Sequence, residues 1–364
     1  MLYIDQPVGV GFSYIDAVPG YYVGENLVQL PNNDCPSWAD QKSCGTWSSN
    51  EPEFTANSTI AGAPVLWKTL QGITGAFPKY SSNGVNLFSI SYGGHYGPLY
   101  GAYTLQQNAL IVQGSMNGTG AHHIDLRSVI IGNGWYDPII QNEAYYNYTI
   151  SPGNPYGLHL VAEDDQPKMY NEMWGPGNCI DMLKRCKVTG SNDVCTAADN
   201  FCYITTGNID PERDQYDIRE LTTGAGYPYN FYPEYLNQEH VLQAIGAEVN
   251  YSDYINIIYS TFESTGDDAR EAGTIERVKY LVNNGVYVVE YAGDADINCN
   301  WLGGEVVASM SGPQGYNSAG YVNIQTPDNV THGQVKQSNN FAFARIYEAG
   351  HTVRESRTDT ERYD

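Results

Sequence analysis

The stretch that decides the fold is "VNLFSISYGGHYGP", residues 85–98. Its first half is an apolar run that enters a cluster of small residues with no polar loop between them, as a strand does when it runs directly into a sharp turn. A helix is predicted after the turn, over residues 98–109. The stretch therefore predicts a strand, a tight turn and a helix, with Ser89 and Ser91 at the turn.

Steric requirements choose between these two serines. On a strained strand-to-helix turn that carries a nucleophile, the residues two before and two after it must be small, because the backbones there nearly touch. Ser91 has Ser89 and Gly93 at these positions, whereas Ser89 has Leu87 and Ser91. Leucine is too large, so Ser91 is the candidate nucleophile. Taken alone, a structural serine in a strand-ending turn is an equally good interpretation.

A nucleophilic serine needs a base and an acid, which in α/β-hydrolases follow later strands in the order Ser, Asp, His. Asp294 and Asp296 follow the apolar run "VYVVEY", and His351 follows "FAFARIY". This order and placement favour His351 as the base and leave two candidate acids. The remaining histidines fit less well, because they lie on the helix after the turn, before a strand, in the insertion, on a helix or in a polar loop: His95, His122, His123, His159, His240 and His332.

The chain is expected to contain two α/β portions separated by an insertion. Residues 1–137 carry short apolar runs typical of βαβ units, beginning with a predicted buried strand at Leu2–Ile4. Residues 138–265 are rich in Tyr, Asn, Gly and Pro, with one predicted helix in "YLNQEHVLQAIGA", and residues 266–364 resume the sheet. We predict an α/β fold with a mostly parallel central sheet and a disulfide-stapled insertion.

Composition excludes some partners. The 364 residues include 18 basic and 41 acidic side chains, a net charge of -23 that would repel a phosphate backbone or an anionic membrane surface. No nucleic-acid partner is expected, and no apolar stretch reaches the 18 residues of a membrane span. An acidic surface rich in tyrosine, with 31 such residues, suits an acidic medium.

Six of the seven cysteines fall into two groups, Cys35 with Cys44 and then four between residues 179 and 202. The gaps in the second group are seven, nine and seven, a symmetric spacing that invites nested disulfides but also permits other connectivities. A zinc site is the weaker alternative, because the group has no C-x-x-C spacing and no histidine. The second group consists of Cys179, Cys186, Cys195 and Cys202.

Two further features concern the compartment. Five glycosylation sequons, whose number gives mild support, agree with passage through a secretory compartment where disulfides persist. The start, "MLYIDQPVGVGFSY", has no secretory leader, so we expect residues to precede this sequence in the whole protein. The sequons are at Asn57, Asn117, Asn147, Asn250 and Asn329.

Seven segments in order across the chain resemble the signature segments of the serine carboxypeptidases, especially secreted fungal ones. They are "LYIDQPVGVGFSY", "SYGGHYGP", "IIGNGWYDP", "QYDIRE", "YLNQEHVLQAIG", "YAGDADINCNWLGG" and "YEAGH". The resemblance implies an α/β-hydrolase fold, release of C-terminal amino acids from peptides and proteins at acid pH, no cofactor and no metal. It also implies nested disulfides Cys179–Cys202 and Cys186–Cys195, a monomer or homodimer, and a secreted or vacuolar location.

The resemblance assigns roles to individual residues. It makes Ser91 the nucleophile, His351 the base and Asp296, the second aspartate of its segment, the triad acid. The backbone N–H of Tyr92 would form half of the oxyanion hole, and its ring would line a substrate pocket whose wall includes Asn298 and Cys299. For Cys299 a free thiol near the site and a buried small apolar residue are equally good interpretations.

Two departures from the family pattern leave the function open. Ile90 stands where the family has a glutamate that binds the substrate's terminal carboxylate. The family's W-N-G-G-P-G-type segment, which supplies the second oxyanion donor, would lie before residue 1 together with the first strands of the sheet. Three hypotheses follow: a serine carboxypeptidase, an acyltransferase or esterase on the same scaffold, or a catalytically impaired relative or fragment.

Overall fold

The computed structural model describes residues 1–150, 153–206, 209–223, 231–270 and 273–353. The chain divides into two compact units, one comprising Met1–Gly62 and Gly226–Asp267 and the other Ala63–Ala225 and Asp268–Asp364. The boundaries expected in the sequence are 1–137, 138–265 and 266–364. They reflect composition and not spatial compactness, and they stay a prediction.

The elements are numbered in chain order. The strands are β1 (Ala17–Val23), β2 (Asn26–Gln29), β3 (Cys44–Ser48), β4 (Val85–Ile90), β5 (Leu126–Gly132), β6 (Tyr287–Gly293), β7 (Val322–Gln325), β8 (Thr331–Ser338) and β9 (Phe341–Ile346). The helices are α1 (Thr59–Ala76), α2 (Pro78–Ser81), α3 (Gly93–Val112), α4 (Pro138–Thr149), α5 (Gln166–Trp174), α6 (Cys179–Thr189), α7 (Asn192–Thr206), α8 (Tyr232–Leu236), α9 (Glu239–Ile245), α10 (Asn256–Glu263), α11 (Thr274–Asn283) and α12 (Trp301–Ser311).

The larger unit is built on a six-stranded sheet of order β4-β5-β6-β9-β8-β7. Strands β4, β5, β6 and β9 are parallel neighbours, while β8 and β7 continue the sheet in antiparallel fashion. The predicted mostly parallel sheet is confirmed. Because parallel strands end at the same edge of a sheet, the turns after β4, β6 and β9 lie along one edge.

The core of this unit lies between the sheet and its helices. Val129, Ile131 and Val288 on the central strands are completely buried, as expected for parallel strands covered on both faces. Helix α3 packs on β4 and β5, and α12 packs on β6 and β9. This packing fixes the strand ends from which the site turns project.

The cysteines are paired as the resemblance implies. Cys179–Cys202 and Cys186–Cys195 join α6 to α7, and Cys35–Cys44 lies in the smaller unit. Nested pairs suit two neighbouring helices joined by a short connection, because the first and last residues of such a hairpin meet. Apolar side chains also pack around these two disulfides, so this segment has a small core of its own; they include Met173, Ile180, Leu183 and Ala198.

The smaller unit contains a three-stranded antiparallel sheet of order β2-β1-β3, in which Trp47 on β3 is buried. The βαβ pattern expected from residue 1 is therefore wrong over residues 17–48. The strand predicted at Leu2–Ile4 is also wrong, since these residues have no regular structure and Leu2 is exposed. An apolar triplet is too short for its period to identify a strand.

Two further expectations need correction. The segment "YLNQEHVLQAIGA" forms two helices, α8 and α9, separated at Asn237 and Gln238. The Asn237 side chain bonds both backbone groups of Tyr251, and Gln238 is extended, which ends the first helix. His332, expected in a polar loop, lies on β8. Hydrophobic periodicity indicates neither the break between α8 and α9 nor the strand that contains His332.

Candidate active site

Ser91 occupies a strained turn between β4 and α3. Its φ of 62° is in the left-handed region, which residues with a side chain seldom adopt. The turn is held by backbone bonds: Ser91 N–H donates to the Gly132 carbonyl at 3.0 Å, and the Ser91 carbonyl accepts from Trp135 N–H at 2.8 Å. These bonds impose the strained conformation that a nucleophile elbow requires.

Small residues flank this turn for a steric reason. A Cβ atom at Gly93 would collide with the Ser89 side chain, whose hydroxyl donates to the Gly93 carbonyl at 3.1 Å. A Cβ atom at Gly94 would meet the backbone of Trp135. The structure therefore has the close approach that pointed to Ser91 in the sequence.

His95, one turn into α3, is part of the same packing. Its buried ring donates from Nδ1 to the Trp135 carbonyl at 2.7 Å and stacks on the Tyr92 ring, with centroids 5.0 Å apart. The ring thus anchors the start of α3 to the loop after β5. This position agrees with its low rank as a candidate base.

His351 and Asp296 meet at the ends of β9 and β6. His351 Nδ1 lies 2.8 Å from Asp296 Oδ2, and the Asp296 side chain is completely buried. Because a carboxylate only accepts hydrogen bonds, the imidazole proton is on Nδ1 and the Nε2 lone pair is available as an acceptor. This is the tautomer that a general base of a serine hydrolase needs.

Two further donors fix the Asp296 carboxylate. Asn133 Nδ2 donates to the same Oδ2 at 2.8 Å, and the Cys299 backbone N–H does so at 3.2 Å. Asn133 has a φ of 37°, and its own Oδ1 accepts from Gly293 N–H at 3.1 Å. Sequence reasoning gave Asn133 no role, although an asparagine between two glycines at a strand end marks a turn that needs positive φ.

The turn that carries His351 is fastened by distant segments. His351 N–H donates to the Tyr216 carbonyl at 2.7 Å, and the two rings meet edge to face at 4.9 Å. Ala295 N–H donates to the Ala349 carbonyl at 2.9 Å. Tyr216 belongs to the quoted segment "QYDIRE", to which the sequence assigned no role.

Asp294, the other candidate acid, does not bond His351. Its carboxylate pairs with Arg345, with Oδ2 at 3.1 Å from Nη2, and accepts from the Tyr156 hydroxyl at 2.5 Å. The two aspartates of one loop therefore point to different partners, a distinction that the residues alone left open.

A cavity of about 140 Å³ opens beside Ser91. Each residue expected to contact substrate, namely Tyr92, Asn298 and Cys299, lines it. Its walls combine aromatic and apolar side chains with two carboxylates, as small-molecule pockets do when a few polar groups orient the ligand. The other lining residues are Trp135, Asn142, Tyr145, Leu183, Asp199, Cys202, Tyr203, Asp268 and Ala269.

Cys299 is an unpaired, buried cysteine that also lines the cavity. Burial raises the pKa of its thiol well above the usual value, the Asp296 charge adds to this, and a hydrogen bond with Ser91 opposes it. The thiol therefore stays protonated beside Ser91. Within the described residues, Cys299, Asp296 and His351 present ligand atoms within 4.8 Å of one another, but the imidazole–carboxylate hydrogen bond already occupies two of them.

The predicted glycosylation sites differ in accessibility. Asn57, Asn117, Asn147 and Asn329 are exposed. The Asn250 side chain is half-buried, accepting from Thr46 N–H and donating to Asn237. Modification at these sites stays a prediction. In the described part of the chain, the helices are too short or too polar to cross a bilayer.

The strand order and the strained turn define the fold as that of an α/β-hydrolase. The chain belongs to the serine carboxypeptidase family, because the model of the Peptidase_S10 family, described as serine carboxypeptidase, matches residues 1–362. The family, the fold and the enzyme class, a hydrolase that acts on peptides, are therefore as the sequence predicted.

Curated relatives agree with this assignment, and a solved structure has the same fold. The chain is 34% identical over 99% of its length to carboxypeptidase S1 of Penicillium janthinellum, and 32% identical over 97% to carboxypeptidase S1 homolog B of Arthroderma otae. It spans 75% and 57% of the lengths of these relatives. The structure of Kex1(Δ)p, a prohormone-processing carboxypeptidase from Saccharomyces cerevisiae, matches 89% of this chain and 71% of its own, with a TM-score of 0.61 and 17% identity.

Proposed function

We propose that this chain is the catalytic part of a serine carboxypeptidase that releases C-terminal amino acids from peptides and proteins at acid pH. The observation that carries the proposal is the 2.8 Å bond from His351 to the buried Asp296, at the same sheet edge as the strained Ser91 turn. A serine, an imidazole with its proton on Nδ1 and a buried carboxylate are the three groups of an acyl-transfer site. Family membership supplies the substrate class.

In the proposed mechanism, the Ser91 hydroxyl oxygen attacks the carbonyl carbon of the last peptide bond. His351 Nε2 takes the hydroxyl proton, and Asp296 stabilises the imidazolium that forms. As the carbon–nitrogen bond breaks, the imidazolium gives its proton to the departing amino acid. Water then attacks the acyl-enzyme with His351 again as base, which releases the shortened peptide and restores the serine.

The negative oxygen of the tetrahedral intermediate needs hydrogen-bond donors. We assign one donor to the backbone N–H of Tyr92, which precedes α3 directly. The N-terminus of this 20-residue helix carries partial positive charge, which favours an oxyanion there.

The cavity beside Ser91 is the proposed substrate pocket. Tyr92, Asn298 and Cys299 would contact the side chain that precedes the scissile bond. A protonated thiol presents a small, weakly polar surface, which suits an uncharged part of a substrate better than a thiolate would. Three disulfides and exposed sequons further support a secreted or vacuolar protein.

Ile90 favours a second candidate function. It lies at the end of β4, beside Ser91, where the resemblance implies a carboxylate-binding glutamate. An apolar side chain cannot donate a hydrogen bond to a free carboxylate, so affinity for a peptide C-terminus would fall. A triad that forms an acyl-enzyme serves an esterase or acyltransferase equally well.

The test is incubation of the protein with a blocked dipeptide at pH 4 to 6 and measurement of free amino acid. Release that is abolished in Ser91→Ala and retained in Ser89→Ala is expected, because only Ser91 is the proposed nucleophile and Ser89 supports the turn. Release in Ser91→Ala would overturn the nucleophile assignment. Hydrolysis of simple esters without release of amino acid would replace the carboxypeptidase by the esterase.

A further inference from the structure

Asp294 is the centre of a second hydrogen-bond network in the site. The proposed reaction does not use its buried carboxylate. Asp294 Oδ2 lies 3.1 Å from Arg345 Nη2 and 3.3 Å from Nε, a two-pronged ion pair. Its Oδ1 accepts from the Tyr156 hydroxyl at 2.5 Å and from Glu348 N–H at 2.9 Å. The Asp294 side chain is 4% exposed, so these bonds are shielded from water.

The bond to Glu348 connects this network to His351. Glu348 has a φ of 54°, a left-handed conformation that a glutamate adopts only where its surroundings impose it. Three residues later the chain reaches His351. The Asp294 carboxylate thus holds the N–H of the one strained residue in the turn that presents the imidazole.

Two more bonds fix the Asp294 network in place. Asp294 N–H donates to the Ile346 carbonyl at 3.0 Å, and the Asp294 carbonyl accepts from the Tyr148 hydroxyl at 2.6 Å. The Arg345 guanidinium lies over the Trp301 ring, 3.9 Å from its centroid, which restricts its rotation. The backbone N–H, the carbonyl and both carboxylate oxygens of Asp294 therefore each have a hydrogen-bond partner.

We infer that Asp294 is a positioning residue for His351. Asp296 orients the imidazole by direct contact, and Asp294 sets the path of the turn that brings the ring to Asp296. The inference deepens the proposed function and rests on it for its kinetic consequence, because a displacement of about 1 Å at a reacting group can cost roughly 100-fold in rate. The geometric part, the position of the ring, does not depend on catalysis.

The variant Asp294→Asn tests the inference at almost no change in volume, because its NH2 group cannot accept hydrogen bonds, so either Arg345 or the Glu348 N–H loses its acceptor. Asp137→Asn is the matched control: Asp137 is also buried in the larger unit, but it caps α4 by accepting from Ile139 and Ile140 N–H, which asparagine does equally well. Circular dichroism measures the folded fraction of each variant, and the results below refer to folded protein.

The first measurement is the proton NMR signal of the His351 Nδ1–H, identified by its absence in His351→Ala. We expect the signal to be lost or broadened in Asp294→Asn and to remain in Asp137→Asn. The second is the rate at which a fluorophosphonate phosphonylates Ser91, with the P–F bond breaking and fluoride leaving, expected to fall about 10- to 100-fold in Asp294→Asn. An unchanged signal and an unchanged rate in this variant would overturn the inference.

Two outcomes separate the inference from the proposed function. If the fluorophosphonate does not phosphonylate Ser91 in the wild-type protein, the proposed function fails, whereas the NMR signal still decides the position of His351. If Asp294→Asn does not fold, Tyr156→Phe removes one donor and leaves the ion pair. That variant is expected to broaden the signal and slow phosphonylation about 3- to 10-fold, as for one lost hydrogen bond; unchanged values would overturn the inference.

Discussion

The turns that present Ser91 and His351 lie at the same sheet edge but are held in different ways. The Ser91 turn depends on neighbouring small residues and on backbone bonds to the loop after β5. The His351 turn depends on side chains far away in sequence, Asp294 and Asp296, and on the carbonyl of Tyr216. A turn held by neighbouring residues leaves a recognisable pattern in the sequence, whereas a turn held by distant segments does not.

The largest expected effect is on the His351 side of this comparison. In Asp296→Asn the neutral amide cannot stabilise the imidazolium, so kcat should fall by about 10,000-fold. The measurement is ester hydrolysis or amino acid release, with the thermal midpoint as a check that the fold remains. A loss below tenfold would mean that Asp296 is not the triad acid.

The next effect concerns Glu290, on β6 beneath the loop that carries both aspartates. Its carboxyl is completely buried without a hydrogen-bond partner among the described residues, and burial raises its pKa from the usual 4.5 to about 8. Burial also raises the pKa of the Tyr136 and Tyr316 hydroxyls, and a charge on Glu290 would raise both further. The folded state therefore favours the protonated acid.

Stability should consequently fall as pH rises. The contribution of protonated Glu290 is fully present below pH 4.5 and is lost progressively towards pH 8, a change on the order of 5 kcal/mol. Denaturant unfolding at several pH values should show this loss in the wild type and much less of it in Glu290→Gln. Glu276→Gln, at an exposed site paired with Lys279, is the control; equal pH dependence in all three proteins would refute the assignment.

The Ser91 turn can be tested by introducing a steric clash and then removing it with a second substitution. Gly93→Ala places a Cβ atom against the Ser89 side chain and is expected to cost about 1 to 3 kcal/mol of unfolding free energy. Ser89→Gly in the same chain removes the obstacle and should recover most of that loss. Absence of recovery in the double variant would show that the contact between these two residues does not set the turn.

The smallest effect tests the support of Asp296. Asn133→Gly tolerates the positive φ but removes the hydrogen bond to Asp296, so kcat should fall about tenfold with little change in KM. Asn339→Gly makes the same change at another positive-φ asparagine, in the exposed β8–β9 turn, and should leave kcat unchanged. A fall in both variants would point to a general effect on stability.

Much of the site was predictable in outline. The small residues around Ser91 and the strand-end positions of Asp294, Asp296 and His351 were visible as patterns. The choice of Asp296 over Asp294 came from the family resemblance, because the residues alone did not distinguish them. The sequence analysis missed the roles of Asn133, Tyr216 and Asp294. Each bonds a partner more than fifty residues away in the chain, and local hydrophobic periodicity carries no information about such distant contacts.

The sequence by itself determined the strand–turn–helix around Ser91, because steric exclusion at Ser89 and Gly93 acts between residues a few positions apart. It also determined the central parallel strands β5 and β6, whose burial requires largely apolar runs. Only the tertiary structure decided which carboxylate meets the imidazole. Asp294 and Asp296 carry the same chemical group two positions apart. The packing of β6 beside β9 places Asp294 against Arg345 and Asp296 against His351.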